Sequence, residues 1–410
     1  MGESVAAPAG PPPSPRALAE PTPAARPASS PAGTRPPVHV VHVVGCLDRG
    51  GIETAMLDVC RSVPVQDVRH TFVTVAGWEG SLAGRFRAAG AGVTQCPVRP
   101  RHSFGPRIWR RLRSLRPDVV VSHIGLTSAL VLLTARLCGV PTRVARLWSE
   151  GDGRPEAPLR RAQRAVLRRV LPHAATDVLG VTAAALRFAG HRPHDPRYGV
   201  LYNGVALDRV DGWDRRTARR RWGLPDDAPV LGYLGRAAPE KNRGFLVEVY
   251  GAARALRPDT RLLVAGPGGS DDLTAVDPAI VADPHVVLAG EVDDIGAVLA
   301  AADVLLLPSV REGLPGVALE ALAVGVPVVS SDLACLRELS TLVAGLTPVP
   351  LSAGPERWAA AALDRAAIDD GRRRELALAL RDSPFTLANV VQQWRDLWEA
   401  CRTSGRGEPG

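Results

Sequence analysis

The sequence has almost no lysine. Of the 50 basic residues among its 410, 49 are arginine and one, Lys241, is lysine. An excess of Ala, Arg, Gly and Pro indicates a coding bias that replaces lysine by arginine wherever either residue will serve. Arginine is a planar fork of donors, whereas lysine is a compact ammonium that acts on phosphate as a point charge. Lys241 is therefore a candidate for a task that arginine cannot perform; a chance survivor on the surface is the alternative.

Long hydrophobic runs and closely spaced cysteines are also missing. No apolar run reaches the roughly 18 residues of a membrane-spanning helix, and the nearest candidate, at 128–141, is interrupted by Arg136. The N-terminus has no basic start followed by an apolar core, so we predict no secretory signal and a cytoplasmic location. The six cysteines are scattered without a Cys-x-x-Cys pair, which argues against a zinc site and against a disulfide framework.

The charge of the chain leaves several classes of partner open. A formal net charge of +8 suits a nucleic acid, an anionic membrane surface or a phosphorylated substrate. Nucleic acid is the weakest of these hypotheses, because the chain has no recognisable recognition module and only 4% aromatic residues to stack on bases. We therefore predict no nucleic-acid partner.

Length and rhythm predict two domains. Residues 1–37 hold eleven of the 37 prolines and few large apolar side chains, which is typical of a disordered leader. From residue 38 short apolar runs alternate with helical stretches, and the alternation restarts at residue 229 after a polar, arginine-rich segment that we interpret as a linker. The predicted fold is α/β, with two Rossmann-like, doubly wound parallel sheets facing a central cleft. The predicted units are a leader at 1–37, a first domain at 38–207, a second domain at 208–384, and a C-terminal helix and tail at 385–410.

The same pattern predicts the individual elements. Strands are expected at residues 38–44, 70–76, 117–122, 142–147, 177–181, 198–201, 229–235, 260–265, 286–288, 304–307 and 326–330. Helices are expected from about residue 53, and at 126–137, 242–256 and about 387–401. The last of these carries Trp394, Leu397 and Trp398 at helical spacing, so we predict that it packs against one of the domains.

Two short strings follow strands at the edge where ligands gather in such folds. Gly50 and Gly51 precede a helix and let the backbone approach a diphosphate, although a simple tight turn explains them equally well. The string from Gly235 to Asn242 follows the first strand of the second half. It places Arg236 and Lys241 five residues apart at the cleft mouth, where they could neutralise the two phosphates of a leaving nucleotide. A solvated charge cluster is the less favoured interpretation.

A third string, Glu-Gly-Leu-Pro-Gly-Val-Ala-Leu-Glu, puts Glu312 and Glu320 eight positions apart. Pro315 and Gly316 mark the start of a helix. Glu312 is therefore predicted in the loop that faces the cleft, with Glu320 over one helical turn further along. A carboxylate can accept hydrogen bonds from paired hydroxyls of a sugar or a ribose. The less favoured interpretation is a helix N-terminal charge beside a solvated glutamate.

Two further candidates have stronger structural alternatives. His123 ends the run Val-Val-Val-Ser-His at the same edge, where a lone histidine is more often structural. Asn203-Gly204 is an ordinary turn signal. Two of only three asparagines in the chain, Asn203 and Asn242, nevertheless fall inside these strings.

Taken together, the strings resemble glycosyltransferase family 4, whose members are retaining enzymes with the two-Rossmann (B-type) fold. The resemblance covers about residues 38–400. The string Arg-Gly-Gly-Ile-Glu-Thr at 49–54 looks like the family's N-terminal glycine loop. Tyr-Asn-Gly-Val at 202–205 is similar to its inter-domain Pro-Asn-Gly-Val turn, with Tyr in place of Pro. The pair Glu312 and Glu320 matches its Glu-x7-Glu, the most specific element.

The resemblance implies a role for each matched residue. Arg236 and Lys241 would bind the diphosphate, Glu312 the donor-sugar hydroxyls and Glu320 the nucleotide ribose, while His123 would lie beside the reacting sugar. Further substrate-contacting positions are expected at Gly50, Gly51, Asn203, Gly235, Gly313 and Leu314. The family also implies a nucleotide-diphosphate sugar as co-substrate, no metal or other cofactor, and retention of anomeric configuration without an enzyme nucleophile.

The acceptor stays open. Residues 44–58 and 293–332 look most like members that build bacterial capsule or exopolysaccharide. Such relatives often carry a His-rich stretch where this chain has Arg-Leu-Trp-Ser-Glu-Gly at 146–151, and that region faces the acceptor in the family. His123 also lacks the second histidine often found two residues earlier, where Val121 stands. A saccharide, a lipid-linked saccharide and a small molecule therefore all remain candidate acceptors.

Two basic amphipathic stretches, at 107–116 and 160–169, bear on the question of membranes. Each interleaves arginine with apolar side chains, and each could rest on an anionic bilayer bearing a lipid-linked acceptor. An ordinary solvated helix face is the favoured interpretation, and peripheral contact with the inner face of the cell membrane is the alternative hypothesis.

An active glycosyltransferase is the favoured prediction for the protein as a whole. A catalytically inactive, nucleotide-sugar-binding scaffold is the alternative. The intact Arg236, Lys241, Glu312 and Glu320 speak against that alternative, which ligand binding without turnover of any donor would favour.

Overall fold

The computed structural model describes residues 36–151, 157–192 and 194–404. Most of the leader predicted at 1–37, and the last six residues of the predicted tail, lie outside these ranges. Within them the chain forms two separate sheets, one of seven strands and one of six. Every strand pairs in parallel with its neighbours. The prediction of two Rossmann-like domains is confirmed.

Seven strands form the sheet of the first domain. They are β1 (Val38–Val44), β2 (Val68–Thr74), β3 (Gly92–Gln95), β4 (Val119–Ser122), β5 (Thr142–Leu147), β6 (Asp177–Gly180) and β7 (Tyr198–Val200). Their order across the sheet is β3-β2-β1-β4-β5-β6-β7. The direction of winding therefore reverses between β1 and β4, and a crevice for ligands is expected at the carboxyl ends of these two strands. The loops that leave there carry Gly50 and His123.

Six strands form the second sheet. They are β8 (Val230–Leu234), β9 (Arg261–Ala265), β10 (Val286–Gly290), β11 (Val304–Leu307), β12 (Val328–Ser331) and β13 (Leu346–Val349). The order β10-β9-β8-β11-β12-β13 places the reversal between β8 and β11. The loops that leave these two strands carry Lys241 and Glu312, so the topology brings the second and third sequence strings together.

Helices connect the strands. In the described ranges they are α1 (Gly51–Ser62), α2 (Ala83–Ala88), α3 (Phe104–Leu115), α4 (Ser128–Leu137), α5 (Pro158–Ala174), α6 (Ala183–Phe188), α7 (Arg215–Arg221), α8 (Arg243–Leu256), α9 (Asp271–Thr274), α10 (Ile295–Ala301), α11 (Gly316–Ala323), α12 (Ala334–Leu342), α13 (Gly354–Ala366), α14 (Asp370–Arg381) and α15 (Leu387–Ser404). None of them is both long and apolar enough to cross a bilayer.

The central strands show why the sequence pattern was readable. Every residue of β1, β4, β11 and β12 is buried. Parallel strands covered on both faces need apolar side chains at successive positions, not at alternate ones. The predicted bounds of β1, β5 and β11 agree with the structure to the residue, and those of β4 and β12 agree to within two residues.

Three features differ from the sequence prediction. The strands β3 and β13 were not predicted: β3 is a partly exposed edge strand, and β13 contains Pro348, a residue confined to special positions in strands. The polar segment that we interpreted as a linker is not an extended connection, because residues 215–221 of it form α7. Arg219 of α7 is buried and pairs with Asp303 at 2.5 Å, which fastens the segment to the second domain.

The C-terminal helix α15 packs against a domain, as predicted, and the structure shows that this is the first domain. Trp394 and Trp398 are buried in the same apolar cluster as Val40 and Phe72. To reach this position the chain crosses between the domains a second time beside the first crossing. The N–H of Val205 donates to the carbonyl of Phe385 at 2.8 Å, and the Leu387 N–H donates to the Val205 carbonyl at 3.0 Å.

The cysteines of the described ranges are largely buried side chains. Cys60, Cys96 and Cys335 are buried, Cys46 and Cys138 are half-buried, and all five are unpaired. Burial raises the pKa of the Cys60 thiol well above its ordinary value, which keeps it protonated and unreactive.

Candidate active site

Loops from the carboxyl ends of both sheets meet at the boundary between the domains. Arg49, in the loop after β1, binds Glu291 at 2.7 Å and Asp293 at 3.2 Å across this boundary. Glu150, after β5, accepts a hydrogen bond from the backbone N–H of Cys335 in the second domain at 3.1 Å. The two domains are therefore in contact around the cleft that the sequence predicted.

The glycine loop sits at the start of α1. Gly50 is the N-cap of α1 and supplies no side-chain cap, which leaves amides at a helix N-terminus for an anion. The Oε2 atom of Glu53 lies 2.6 Å from the position that a Cβ would occupy at Gly50, so a larger residue there would displace this carboxylate. Burial, with a contribution from Asp48, raises the pKa of Glu53 to about 7, while the charge of Arg236 opposes this shift. Arg236 of the second domain therefore acts electrostatically on the glycine loop of the first.

The loops after β8 and β11 are tied to each other. Asn242 adopts a left-handed conformation with φ 53°, which asparagine tolerates better than most residues. Its Nδ2 donates to the Pro308 carbonyl at 3.1 Å, and the N–H of Val310 donates to the Glu240 carbonyl at 2.9 Å. These bonds fix the two loops that carry Lys241 and the first glutamate of the third string.

The only lysine of the chain lies between these loops. Its Nζ donates to Oε1 of Glu312 at 2.6 Å, and Ser309 Oγ donates to the same oxygen at 2.7 Å. The Lys241 side chain is 21% exposed and that of Glu312 only 9%. A lysine ammonium has three donors, so Lys241 can keep Glu312 in place and still donate to an anion in the cleft.

Arg236 is the more exposed of the two predicted cations. Its side chain is 59% exposed and pairs with Glu240 at 2.6 Å. Gly235, by contrast, has a packing reason to be glycine. A Cβ there would lie 2.9 Å from the Tyr233 hydroxyl, and a Cβ at Gly266 would overlap the carbonyl oxygen of Gly235, so both positions are crowded.

The loop that carries Glu312 presses against the first domain. A Cβ at Gly313 would overlap the carbonyl oxygen of Trp148, so only glycine permits this approach. Leu314 is buried in the core, which leaves its backbone, not its side chain, to meet a ligand. α11 begins at Gly316 after Pro315, as predicted.

Glu320 is placed one turn into α11, as predicted, but it already has a partner that the sequence did not indicate. Its Oε1 accepts a hydrogen bond from Nη2 of Arg209 at 2.7 Å, and Nη1 of Arg209 donates to Oδ2 of Asp58 at 2.9 Å. Burial raises the pKa of Glu320, Arg209 opposes that shift, and Asp58 adds to it. One guanidinium therefore joins a carboxylate of α1 to one of α11.

His123 lies at the end of a chain of buried imidazoles. Its Nδ1 accepts from Nε1 of Trp148 at 3.0 Å, and its Nε2 lies 3.1 Å from Nδ1 of His42. Nε2 of His42 lies 3.0 Å from Nδ1 of His70. Burial, together with the charge of Arg146, lowers the pKa of His123 to about 3, and burial lowers that of His70 to about 4. Burial also lowers the pKa of His42 well below its ordinary value, so all three rings are neutral.

The neutral state fixes the direction of these hydrogen bonds. An indole N–H can only donate, so Nδ1 of His123 is an acceptor and its proton is on Nε2. His123 then donates to His42, and His42 donates to His70. Both ring nitrogens of His123 are thus occupied by protein, and a direct bond from its ring to a sugar would require the Trp148 bond to break. Its role beside the reacting sugar stays a prediction.

Asn203 lies at the crossing between the domains, not among the residues around Lys241. Its Oδ1 accepts from Nη2 of Arg146 at 3.2 Å. Arg146 is buried, with its guanidinium 4.9 Å from the centroid of the Trp148 ring. The adjacent Gly204 approaches α15 closely, since a Cβ there would lie 2.6 Å from the Cα of Leu387. Substrate contact by Asn203 stays a prediction, and its visible role is to order the crossing.

Sequence reasoning missed the residues that join the domains. Glu338 of α12 accepts from the N–H of Ala183 in the first domain at 2.9 and 3.0 Å. This bond mirrors that of Glu150, so each domain offers a carboxylate to a helix start of the other. No local pattern marks such residues, because each is one charged side chain among many. The others missed are Asp58, Arg209, His42 and His70.

The two basic stretches form helices that flank α4. In the described part of the chain α3 and α5 both pack against α4. The three helices expose large apolar side chains, among them Trp109, Leu137 at 75% and Leu159 at 83%. The guanidinium of Arg113 lies 4.8 Å from the centroid of the Trp109 ring, and α3 and α5 both contain several further arginines. This part of the first domain therefore combines positive charge with exposed apolar area.

Comparison with known families gives matches in both domains. Residues 50–204 match the family described as "Glycosyl transferase 4-like domain", and residues 228–366 match "Glycosyl transferases group 1". The first range includes the glycine loop and the second includes Lys241, Glu312 and Glu320. Together the two matches cover most of the chain.

Individual relatives are consistent with these matches. EpsF of Bacillus subtilis (strain 168) is 26% identical over 310 residues, which are 72% of this chain and 79% of EpsF. The D-inositol 3-phosphate glycosyltransferase of Stackebrandtia nassauensis is 32% identical over 292 residues, 65% of this chain and 63% of that protein. Among solved structures, Anabaena HepE in complex with UDP-glucose superposes with a TM-score of 0.70 at 17% identity, covering 88% of this chain and 99% of HepE. At that identity the likeness shows the fold, which is the B-type arrangement of two facing domains.

Proposed function

Since the chain belongs to glycosyltransferase family 4, we propose that it transfers a sugar from a nucleotide-diphosphate donor at the cleft between Lys241 and the glycine loop. The observation that carries this proposal is the bond between Lys241 and Glu312. It joins a cation suited to the diphosphate and a carboxylate suited to sugar hydroxyls at the carboxyl ends of β8 and β11. We expect the start of α1 to face them across the cleft, because Arg49 beside it pairs with Glu291 and Asp293 of the second domain.

The chemistry follows from where charge develops. Breaking the bond between the anomeric carbon and the diphosphate builds negative charge on the leaving phosphate. Cations already fixed beside that phosphate stabilise the transition state more than the ground state. Lys241 is held by Glu312, and Arg236 by Glu240, so neither has to be ordered during the reaction. The free amides at Gly50 and Gly51 add a positive helix end.

Two finer features belong to the same proposal. We expect no metal, because the leaving diphosphate would be neutralised by Arg236, Lys241 and the start of α1. We also expect retention of configuration, with the acceptor attacking on the face that the diphosphate leaves and no enzyme nucleophile involved. Glu312, engaged by Lys241 and Ser309, would bind donor-sugar hydroxyls instead of attacking the anomeric carbon.

The first test distinguishes the predicted contact of Glu312 with the donor sugar from the predicted contact of Glu320 with the ribose. HepE binds UDP-glucose, so this is the first donor to measure by calorimetry, together with UDP. We expect Glu312→Gln to weaken UDP-glucose about tenfold and to leave UDP unchanged, because Gln keeps the acceptor for Lys241 but loses the charge toward the sugar. Glu320→Gln should weaken both ligands, because the ribose is common to them.

Turnover then decides between enzyme and scaffold. Nucleotide release from the bound donor is measured with saccharide, lipid-linked and small-molecule acceptors. Release with at least one acceptor supports the enzyme. Tight binding with no release from any donor or acceptor would favour the inactive scaffold, and failure of every nucleotide sugar to bind would reject the site itself.

We further propose that the α3–α5 side of the first domain contacts an anionic membrane, where a lipid-linked acceptor would be presented, at the cytoplasmic face. The support is the combination of arginines with exposed Trp109, Leu137 and Leu159 on helices that pack side by side. Arginine supplies attraction to anionic headgroups, and the apolar side chains can enter the interface.

The membrane proposal predicts binding that depends on lipid charge. We expect the protein to co-sediment with vesicles containing phosphatidylglycerol and not with phosphatidylcholine alone. Reversing Arg110 and Arg113 of α3 to Glu should reduce binding at least tenfold, since each basic residue near the surface contributes about 1 kcal/mol. The matched control reverses Arg216 and Arg220, two exposed arginines of α7 in the second domain. If both variants lose vesicle binding to the same extent, binding depends only on the net charge of the protein, and a specific membrane-binding face is rejected.

A further inference from the structure

Arg209 holds an unusual position, because it touches both domains from the segment that joins them. It belongs to a short 3-10 turn at Leu207–Arg209, directly after the first crossing. Its two terminal nitrogens donate separately, one to Asp58 of α1 at 2.9 Å and one to Glu320 of α11 at 2.7 Å. The fork geometry of a guanidinium suits such a bridge, and the single ammonium of lysine does not.

We propose that Arg209 is a positioning residue for the donor nucleotide: it orients Glu320 toward the ribose, and its bond to Asp58 links that orientation to the contact between the domains. The inference rests on the proposed role of Glu320. It adds a residue that touches no substrate and that no sequence motif marked.

The burial of the two carboxylates makes the guanidinium necessary. The side chains of Asp58 and Glu320 are only 7% and 15% exposed. Two buried carboxylates without a cation between them favour protonation of at least one. An ionised carboxylate offers about four lone-pair sites, so the bond to Arg209 uses only part of the acceptor capacity of Glu320. Capacity for two ribose hydroxyls therefore remains.

The charged groups around Glu320 determine in which direction nucleotide affinity changes with pH. The charged groups that act on it are Arg209 and Asp58, and Asp58 in turn faces Arg61 and Asp208. An ionised Glu320 accepts both ribose hydroxyls, so nucleotide affinity should fall as the pH drops through its pKa. Removal of Arg209 raises that pKa. The loss of nucleotide affinity at low pH, which is the acid limb of the affinity profile, then moves to higher pH. Removal of the Asp58 charge lowers it and moves the limb the other way.

The experiment measures the dissociation constant of UDP-glucose by calorimetry from pH 5 to pH 9. The variants are Arg209→Ala, Arg209→Lys, Asp58→Asn and Glu320→Gln, with Arg216→Ala as the control, since Arg216 pairs only with the exposed Asp226 in the described part of the chain. We expect Arg209→Ala to weaken binding about tenfold at pH 7 and to shift the acid limb upward. Arg209→Lys should show a smaller loss, Asp58→Asn a downward shift of the limb, and Arg216→Ala the wild-type profile.

The outcomes separate this inference from the proposed function. If Glu320→Gln weakens binding while Arg209→Ala keeps the wild-type affinity and acid limb, the inference is overturned and the ribose site stands. If Glu320→Gln binds as tightly as wild type, the ribose site itself fails, and the inference with it. If Arg209→Ala does not fold, the Asp58→Asn variant still tests the inference. A shift of its acid limb to lower pH supports the inference, and a shift to higher pH contradicts it.

Discussion

Replacement of Lys241 by alanine should lower turnover by about 10²-fold or more while the protein stays folded, the scale typical of losing one fixed stabiliser of transition-state charge. Two effects act together. The ammonium no longer faces the leaving diphosphate, and Glu312 loses the bond of 2.6 Å that holds it in the loop. The measurement is the rate of nucleotide release with the acceptor that gives the highest wild-type rate, accompanied by a thermal melt.

Arginine at the same position tests why lysine is there. Lys241→Arg keeps the positive charge, but the planar fork is larger and cannot place a point charge between the Glu312 carboxylate and a phosphate. We expect this variant to be impaired as well, though less than the alanine variant. Arg257→Ala is the control, since Arg257 is an exposed arginine of the same domain that pairs with Asp259. Full activity of Lys241→Arg would mean that the only lysine of the chain is accidental.

The fold was predictable where burial is complete. A strand covered on both faces appears in the sequence as a short run in which apolar residues predominate. β1 has five valines among its seven residues, and β11 is apolar throughout. The edge strand β3 is half polar and β13 contains a proline, so neither has such a run. α7 was mistaken for a linker because five of its seven residues are arginine, and only the structure shows that Arg219 is buried against Asp303.

The candidate site was predictable to the extent that it is local in sequence. Lys241 and Glu312 stand directly after strands that flank the reversal in the second sheet, so the topology brings them together. The partners of Arg209 lie 151 and 111 positions away from it in the chain. With 49 arginines in the sequence, nothing distinguishes this one before the chain is folded. His123 directly follows β4 at the edge that the sequence indicated, but its engagement by Trp148 depends on two loops meeting in space.

Glycine at position 313 should be as important to the reaction as the charged residues, although it has no side chain. We expect Gly313→Ala to lower kcat/KM by about 10²-fold, because displacing reacting groups by about 1 Å can cost that much. The added methyl would overlap the carbonyl oxygen of Trp148, which is backbone and cannot rotate away. The loop must retreat or the domains must part, and Glu312, the preceding residue, moves in either case.

Gly316 provides the matched control three residues further along. A Cβ there meets no atom within 4 Å, and alanine favours a helix more than glycine does, so Gly316→Ala should keep the wild-type rate and stability. The clash at Gly313 lies between domains and not within one, so the thermal melt of Gly313→Ala should show that both cores remain folded. A near-normal rate in that variant would mean that the cleft works without the close contact between Trp148 and the Glu312 loop. The catalytic geometry would then have to be established within the second domain alone, by Lys241, Ser309 and Glu312.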